Sequence, residues 1–438
     1  MDRAAQLLAS ATEVLPGGVS ASARANTAIG RPFFVSRGDG AWLYDLDGRR
    51  FLDMCTSHGA SLLGHNHPRI KAAVQSALEM GVLCACETEY QTRLAERLRA
   101  MVPCAEMSRF AGSGTETVMH GLRLARTATG RHRFIKFEGH FHGYADALNY
   151  SVMPPPLLAG PADHPLPYPE SGGMPQQNAA DVIVVPFNDP QALRDAFATH
   201  GAEVAALLME PVNYDQGCIE PAPGFAELCR ELCDAYGALL FFDEVLTAFR
   251  IAPGGAQHYL GVTPDLCVLG KALGAGMPIS ALSGRRSVMR HLKPLGMSQM
   301  SGTYLAHLTG VMAALAALDE YAAAGLHARM ADLADHFCSG VTQRAAACGA
   351  VVRVQHLGPR FGLYFGLRDP VTNYREAACR DLAAEEVFIR SCFAHGVFFQ
   401  PSAHHGFSAV HTLADIDFAL EAAQHALRDV QRFQQGGA

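Results

Sequence analysis

Two residues that are costly to bury carry the most chemical information in this sequence. Lys271 follows the apolar run DLCVLG, and Asp243 follows the apolar run ALLFF. Removing an ammonium or a carboxylate from water costs free energy, so each residue needs a purpose if these runs are buried strands. A lysine can hold an aldehyde as an imine, and an aspartate can keep a pyridine nitrogen protonated. Pyridoxal phosphate (PLP) needs both, so the pair predicts a PLP site.

Each of these residues also has an ordinary structural interpretation when taken alone. Asp243 could cap the following helix, and Lys271 could be a strand-end lysine that extends its amine into water. Their occurrence together at the ends of two apolar runs favours the cofactor interpretation. Val245 lies two residues after Asp243, so in an extended segment it points the same way and could press on the cofactor ring.

A run of small residues, AGSGTE, opens a helix-like segment near position 114. The backbone N–H groups of Gly114 and Thr115, with the hydroxyl of Ser113 or Thr115, could bind the cofactor phosphate at this helix N-terminus. The alternative is an ordinary capped helix. The run lacks both the G-x-G-x-x-G pattern and the Walker lysine.

The segment GHFHG contains Phe141 between two histidines. Phe141 is interpreted as a flat surface for an aromatic ring, with a core phenylalanine as the alternative. We place His142 beside it at the cofactor. Alternating histidines are a weak metal signal, and no further ligand accompanies them, so we predict no metal.

The elements that position these residues alternate along the chain. Apolar runs of strand length recur at 133–137, 181–187, 203–210, 238–245, 265–271 and 278–284, and helix-like segments separate several of them. This alternation predicts a mostly parallel α/β sheet covered by helices on both faces. Ligands bind beyond the carboxyl ends of such strands, where the informative residues cluster.

Two further segments have recognisable patterns. The proline- and glycine-rich segment 151–180 is too long for a plain connection and is typical of a lid or binding loop. Near the N-terminus, GAWLYDLDGRRFLD predicts a hairpin that turns at Asp47-Gly48.

Composition narrows the classes of protein to consider. The 438 residues are 49% hydrophobic and carry a net charge of −7, so a large core is expected and nucleic acid is an improbable partner. No apolar stretch approaches the ~18 residues of a membrane span. The 12 scattered cysteines contain no C-x-x-C pair, which predicts reduced thiols and a cytoplasmic protein.

The sequence resembles the class III aminotransferases, PLP enzymes of fold type I, and within them the glutamate-1-semialdehyde aminomutases and β-amino-acid transaminases. The resemblance runs through LPGGVSASARA, RGDGAWLYDLDGRRFLDM, LLGHNHP, AGSGTE, GHFHGYAD, FFDEVLTAFR, LGKALGAGMPISA and SGTY. It implies a segment 1–60 that joins the small domain, a large PLP-binding domain at 61–310 and a small α+β domain completed by 311–438.

The resemblance also implies roles for single residues. Lys271 matches the Schiff-base lysine, and Asp243 matches the partner of the ring nitrogen. Gly114 and Thr115 match the phosphate site, and Thr303 matches the threonine that reaches the phosphate from the other subunit. A homodimer with shared active sites is therefore expected. Phe141 stands where the family often has tyrosine, and Glu210 matches the glutamate of the family's E-P-V motif.

Three positions bear on the substrate. Arg24 matches the arginine that binds a substrate carboxylate in the aminomutase, and its forked guanidinium suits a carboxylate. A solvated loop arginine is the alternative. His58 replaces the aminomutase tryptophan. The shorter segment QPSAHHGFSAVHT lacks the aminomutase glutamate, and His404 or His405 stands near that place. These departures argue against the aminomutase reaction.

The sequence therefore predicts a PLP-dependent aminotransferase that acts on a carboxylate-bearing donor, namely a β-, γ- or unusual α-amino acid. A keto acid or an aldehyde would accept the amino group. Three alternatives stay open: an aminomutase that moves an amine within one molecule, a racemase or epimerase, and a PLP-binding protein without turnover.

Overall fold

The six apolar runs of the central region all become strands, because their side chains are buried on both faces of a sheet.

The structure is a computed structural model that describes residues 3–401 and 404–436, without the side chain of His404. Its α-helices are α1 (Arg3–Val14), α2 (Pro68–Glu79), α3 (Glu89–Met101), α4 (Gly114–Thr129), α5 (Pro190–His200), α6 (Phe225–Tyr236), α7 (Gly255–Leu260), α8 (Arg286–Met289), α9 (Leu308–Tyr321), α10 (Leu326–Cys348), α11 (Tyr374–Ala377), α12 (Leu382–Ala394) and α13 (Leu413–Gln434). Its strands are β1 (Val35–Asp39), β2 (Trp42–Asp45), β3 (Arg50–Asp53), β4 (Met107–Ala111), β5 (Arg133–Phe137), β6 (Val182–Val185), β7 (Val204–Met209), β8 (Leu239–Glu244), β9 (Leu266–Leu269), β10 (Ser280–Gly284), β11 (Val352–Leu357), β12 (Arg360–Phe365), β13 (Val397–Phe398) and β14 (His404–Gly406).

The larger of two compact units comprises residues 68–327 and 371–378. Its seven-stranded sheet has the order β4-β10-β9-β8-β7-β5-β6. The strands from β9 to β6 pair in parallel, whereas β10 runs antiparallel to both β4 and β9. The mostly parallel sheet predicted from the apolar runs is confirmed, with β10 as the exception. Only residues 270–279 connect β9 to β10, fewer than a parallel crossover requires.

Helix α4 packs closely on this sheet. Its buried residues include Val118, Leu122 and Leu124, which share a hydrophobic core with Phe241 and other strand side chains. A Cβ on Gly121 would lie 2.4 Å from Cζ of Phe241, so glycine permits the close approach. This packing fixes the helix, and with it the helix N-terminus, against the carboxyl ends of the strands.

The smaller unit comprises residues 1–67, 328–370 and 379–438, so both ends of the chain contribute to it. It contains the four-stranded sheet β1-β2-β3-β13 and the three-stranded antiparallel sheet β11-β12-β14. Apolar side chains of α10, α12 and α13 form its core with residues of both sheets. The predicted hairpin is present as β2 and β3, and Gly48 adopts a φ of 83° between them.

The long segment after Tyr150 is held in place by hydrogen bonds to its main-chain carbonyl groups. The Tyr374 hydroxyl donates to the carbonyl of Pro154 at 2.7 Å. The Arg375 guanidinium donates to the carbonyls of Ala159 and Gly160 at 3.1 and 3.2 Å, and it also pairs with Glu138 at 2.7 Å. These contacts hold the first part of the proline-rich loop in place within the larger unit.

Over the described ranges, the helices lack the combination of length and apolar character that crossing a membrane requires.

Candidate active site

A cavity of about 260 Å³ lies at the carboxyl ends of strands β5, β7, β8 and β9. Nine of the predicted site residues line it: Ser113, Gly114, Thr115, Phe141, His142, Glu210, Asp243, Val245 and Lys271. They come from five separate segments of the chain. The strand-end pattern in the sequence predicts this convergence, because parallel strands end at the same edge of a sheet.

Lys271 adopts an unusual backbone conformation. Its φ is 46°, in the left-handed region that L-residues rarely occupy, and it begins a short 3-10 turn (Lys271–Gly274) after Gly270. Such a conformation costs about 1–3 kcal/mol and persists only where the surroundings enforce it. Strands β8 and β9 pair with Asp243 opposite Val268, so the turn places Lys271 at the same sheet edge as Asp243.

The Asp243 carboxylate is buried and held by two donors. Its Oδ1 accepts a hydrogen bond from the Val245 N–H at 3.1 Å, and its Oδ2 accepts one from Nδ1 of His142 at 2.9 Å. Burial lowers the pKa of His142, although the neighbouring Asp243 opposes this effect. The imidazole is therefore neutral near pH 7, with its proton on Nδ1 directed at Asp243.

Glu210, which follows β7, holds the backbone of the loop that carries Phe141. Its Oε1 accepts a hydrogen bond from the Phe141 N–H at 2.9 Å, and its own N–H donates to Nδ1 of His140 at 3.0 Å. Burial raises the pKa of Glu210 well above its ordinary value, and the carboxyl groups of Asp215 and Asp243 raise it further.

Asp215 lines the same cavity, and the sequence interpretation missed it. It lies within a tight turn in which Asn213 and Ile219 form an antiparallel bridge. The turn brings Asp215 back to the cavity, a path that a search of strand ends cannot detect. The one feature of the sequence that could have indicated Asp215 as a site residue is its position five residues after Glu210.

The N-terminus of α4 forms another side of the cavity. The Ser113 hydroxyl caps the helix by accepting from the Glu116 N–H at 3.3 Å, which matches the ordinary alternative for this serine. Thr115 Oγ1 accepts from the Tyr144 N–H at 3.4 Å. The first N–H groups of a helix have no partner within the helix, so those of Gly114 and Thr115 can bind an anion.

These residues fit PLP by their chemistry and by the space that they leave. The cavity offers an amine, a carboxylate, an anion-binding helix N-terminus and the ring of Phe141. Glycine suits position 114 beside Val245, because a Cβ on Gly114 would lie only 3.0 Å from Val245 Cγ2. Lys271, Asp243, Gly114 and Thr115 would hold the cofactor's aldehyde, ring nitrogen and phosphate.

Thr303 is not among the residues described as lining this cavity. It lies in an exposed segment between α8 and α9, and the next residue, Tyr304, is 72% exposed in the single chain. Met297, on the same connection, is 79% exposed.

Arg24 belongs to the smaller unit and lies in a 3-10 turn (Ser22–Arg24). Its exposed guanidinium donates to the Ser20 hydroxyl. The Gln400 amide donates to the carbonyls of Ala23 and Ala25, at 3.0 and 2.8 Å. Gln400 therefore holds the backbone on both sides of Arg24, a role that the sequence does not reveal.

The three histidines predicted near the substrate also lie in the smaller unit. His58 is half-buried, with a φ of 52°, and follows Thr56 and Ser57 in a run of left-handed residues. His405 is buried between the rings of Phe361 and Phe399. Its pKa is lowered to about 3 by burial and by nearby cationic groups. His404 pairs through its backbone in β14, and its side chain lies outside the described residues.

Fold and cavity together define a PLP enzyme of fold type I, and comparison with known families gives the same result. Residues 22–416 match the family described as Aminotransferase class-III. The chain therefore belongs to the class III aminotransferases and is a PLP-dependent transaminase. The family and the cofactor predicted from sequence are both confirmed.

Solved structures of transaminases are similar over almost the whole chain. An omega-transaminase from Sphaerobacter thermophilus is 32% identical, with a TM-score of 0.93 and coverage of 98% of each chain. A transaminase with PLP bound is 28% identical, with a TM-score of 0.89 and again 98% of each chain covered. A beta-phenylalanine aminotransferase from Variovorax paradoxus is 28% identical, with a TM-score of 0.83 and coverage of 99% of this chain and 94% of that one.

Proposed function

We propose that this transaminase moves an amino group from a carboxylate-bearing donor, a β-, γ- or unusual α-amino acid, to a keto acid or an aldehyde. The convergence of Lys271, Asp243 and the N-terminus of α4 on one cavity carries the proposal. When bound, PLP supplies an electron-accepting ring and a carbonyl group that can store the amino group between two half-reactions. The remaining steps belong to side chains of this chain.

Lys271 has two proposed roles. Its Nζ would hold the aldehyde group of the cofactor. The same nitrogen, when free, would accept the proton from the donor carbon and return it as an acid. The turn at the strand edge supports both roles, because it places the amine beside the cavity on a rigid element.

Asp243 is proposed to hold a proton at the ring nitrogen through its negative charge. The His142 Nδ1–H orients this carboxylate by donating to its Oδ2 at 2.9 Å, and the Val245 N–H donates to its Oδ1. A charge held in place before the reaction needs no reorganisation during it, which makes such a group effective. Phe141 and Val245 would bound the ring, and the N–H groups of Gly114 and Thr115 would bind the phosphate.

Substrate recognition is assigned to the smaller unit. Arg24 would bind the donor carboxylate, and His58, His404 and His405 would shape the rest of the substrate site. The amide clamp of Gln400 supports the role of Arg24, because it fixes the backbone from which an exposed guanidinium extends. The beta-phenylalanine aminotransferase among the similar structures is named for a β-amino acid, so that class of donor is the first to test.

The test uses the purified holoenzyme and follows its visible absorbance. A productive amino donor should bleach the cofactor band, and a keto acid should restore it. Lys271→Ala should lack both the band and turnover, whereas turnover retained by this variant would exclude the proposal. Arg24→Ala should lose activity toward carboxylated donors much more than toward simple amines.

The same assay separates transfer from rearrangement. Glutamate semialdehyde added without a keto acid should give no aminolevulinate at an enzymatic rate if the proposal is right. Rapid formation of aminolevulinate would instead identify an aminomutase. Deuterium entry into a single amino acid with loss of chirality, and without a keto acid product, would identify a racemase or epimerase.

Two further features complete the proposal. The enzyme is proposed to be a homodimer in which Thr303 of each subunit reaches the phosphate site of the other. The exposed apolar side chains Met297 and Tyr304, on the connection that carries Thr303, support a covered surface there. We propose a cytoplasmic location, which suits 12 cysteines that form no disulfide in the described structure.

A further inference from the structure

Lys136, near the end of β5, is a lysine with no exposed surface. Its Nζ donates to the carbonyl oxygen of His140 at 2.9 Å and to that of Tyr150. A buried amino group costs free energy unless its hydrogen bonds are made and its charge is balanced. The hydrogen bonds are made, because both carbonyls accept from it. Burial lowers the pKa of Lys136 to about 7, and four carboxyl groups partly oppose this effect: Glu170, Glu210, Asp215 and Glu138.

The two carbonyls that Lys136 binds lie at two turns of one loop. His140 immediately precedes Phe141 and His142, which line the cofactor cavity. Tyr150 lies where the chain returns, and there the N–H of Gly139 donates to the Ser151 carbonyl at 2.9 Å. Lys136 therefore ties the outgoing and returning parts of the loop to the strand beneath them.

Other contacts hold the backbone on either side of His140. The Asn213 amide donates to the Gly139 carbonyl at 3.1 Å, and the Phe141 N–H donates to Glu210 at 2.9 Å. The His140 carbonyl between them accepts from Lys136. Consecutive residues are thus fixed by three different side chains, and rotation of the His140 peptide would move both Phe141 and His142.

We propose that Lys136 is a positioning residue for the cofactor. Through the His140 carbonyl, it sets the ring plane of Phe141 and the direction of the His142 N–H toward Asp243. The inference rests on the proposed function, since it assigns Phe141 and Asp243 to the cofactor ring. This role differs from a purely structural one in its consequences. Loss of Lys136 should change the affinity and the surroundings of the bound cofactor as well as the stability of the protein.

The test compares Lys136→Met with Asp265→Asn. Methionine keeps the length of the side chain and removes its donors. Asp265 is also buried and accepts from Arg230 and from the Leu240 N–H, both at 2.8 Å, but it lies at the amino ends of the strands. Lys136→Met removes buried hydrogen bonds, and Asp265→Asn removes the charge that pairs with Arg230, so both should lower the melting temperature.

Only Lys136→Met should disturb the cofactor. We expect its PLP affinity, measured by titration of the apoenzyme, to fall by roughly tenfold, which corresponds to about 1.4 kcal/mol of binding free energy, because Phe141 and the His142–Asp243 contact would no longer be held in place. We also expect a changed visible circular dichroism band, because that band reports the asymmetry around the ring. Asp265→Asn should keep the wild-type affinity and band.

A wild-type affinity and band in Lys136→Met would overturn the inference and leave the proposed function intact. If Lys136→Met does not fold, Lys136→Gln, a shorter side chain with a neutral amide, provides the comparison. Turnover retained by Lys271→Ala would instead refute the proposed function. The two failures are therefore distinct.

Discussion

At the scale of single residues, the backbone of Lys271 adopts a strained conformation. A φ of 46° is costly for lysine, and a glycine at this position would avoid the cost but would have no amine. The neighbouring Gly270 remains extended and leaves space beside Val245. Strain at Lys271 is therefore consistent with its proposed reactive role, because the strained turn places its nitrogen beside the cavity.

The first prediction concerns Asp243. Asp243→Asn keeps the shape of the side chain but removes its charge, so turnover should fall by roughly 10²–10³-fold, as for other lost electrostatic contacts in active sites. Steady-state kinetics of the PLP-saturated enzyme would measure the loss. The control is Glu244→Gln, because Glu244 is also buried but binds Thr247, Ala256 and Gln257. Equal turnover in the two variants would remove Asp243 from the mechanism.

A second prediction at this scale concerns acid stability. The pKa of His405 is lowered to about 3, so between pH 6.5 and 3 the unfolded chain binds a proton at this residue and the folded chain does not. Stability should therefore fall as the pH falls below 6.5, by up to about 1.4 kcal/mol per pH unit from this group. Chemical denaturation of the wild type and of His405→Phe at several pH values measures the difference. Parallel curves would contradict the prediction.

At the scale of elements, the contact between the Phe141 loop and helix α4 depends on Gly143. Its φ is 98°, and a Cβ there would lie 2.7 Å from Cα of Thr115. Gly143→Ala should therefore push the loop off the first turn of α4 and weaken PLP binding. Gly173→Ala is a matched control, because Gly173 has a φ of 85° and no atom within 4 Å of the added Cβ. PLP titration of both apoproteins should show a loss for Gly143→Ala alone.

The 3-10 turn that carries Arg24 provides another prediction. Gln400→Leu removes the two hydrogen bonds to the Ala23 and Ala25 carbonyls, so KM for carboxylated donors should rise several-fold while kcat toward a simple amine is kept. Gln434→Leu is the control, since Gln434 also binds a backbone carbonyl of the same unit, that of Val351 at 3.0 Å. An equal KM for carboxylated donors in both variants would argue against the clamp.

The elements also show what the sequence can and cannot predict. The placement of Asp243 near the end of β8 and of Lys271 just after β9 was predictable, because continuous apolar runs mark buried parallel strands and their ends share one edge. The antiparallel course of β10 was not apparent from its apolar run, and only the length of its connection decides it. Asp215, Gln400 and the contact of His142 with Asp243 depend on turns whose geometry leaves little trace in residue type.

At the scale of the whole molecule, the proposed dimer can be tested through Tyr304. This side chain is 72% exposed in the single chain, so Tyr304→Glu should not unfold it but should weaken association. Light scattering after size-exclusion chromatography would report the mass. PLP affinity should fall along with dimer content if each subunit contributes its Thr303 to the other's site, as proposed. Leu413→Glu, at a leucine that is 56% exposed in the smaller unit, is the control. A stable Tyr304→Glu dimer would place the interface elsewhere.

The proline-rich loop after Tyr150 has a consequence for engineering. Its anchors, Tyr374 and Arg375, bind carbonyl oxygens, and a carbonyl is the same whatever side chain its residue carries. Leu157, between these anchored carbonyls, is 98% exposed. The loop can therefore hold its course while its outward positions vary, which makes it a natural place to diversify the enzyme by directed evolution without redesigning its core.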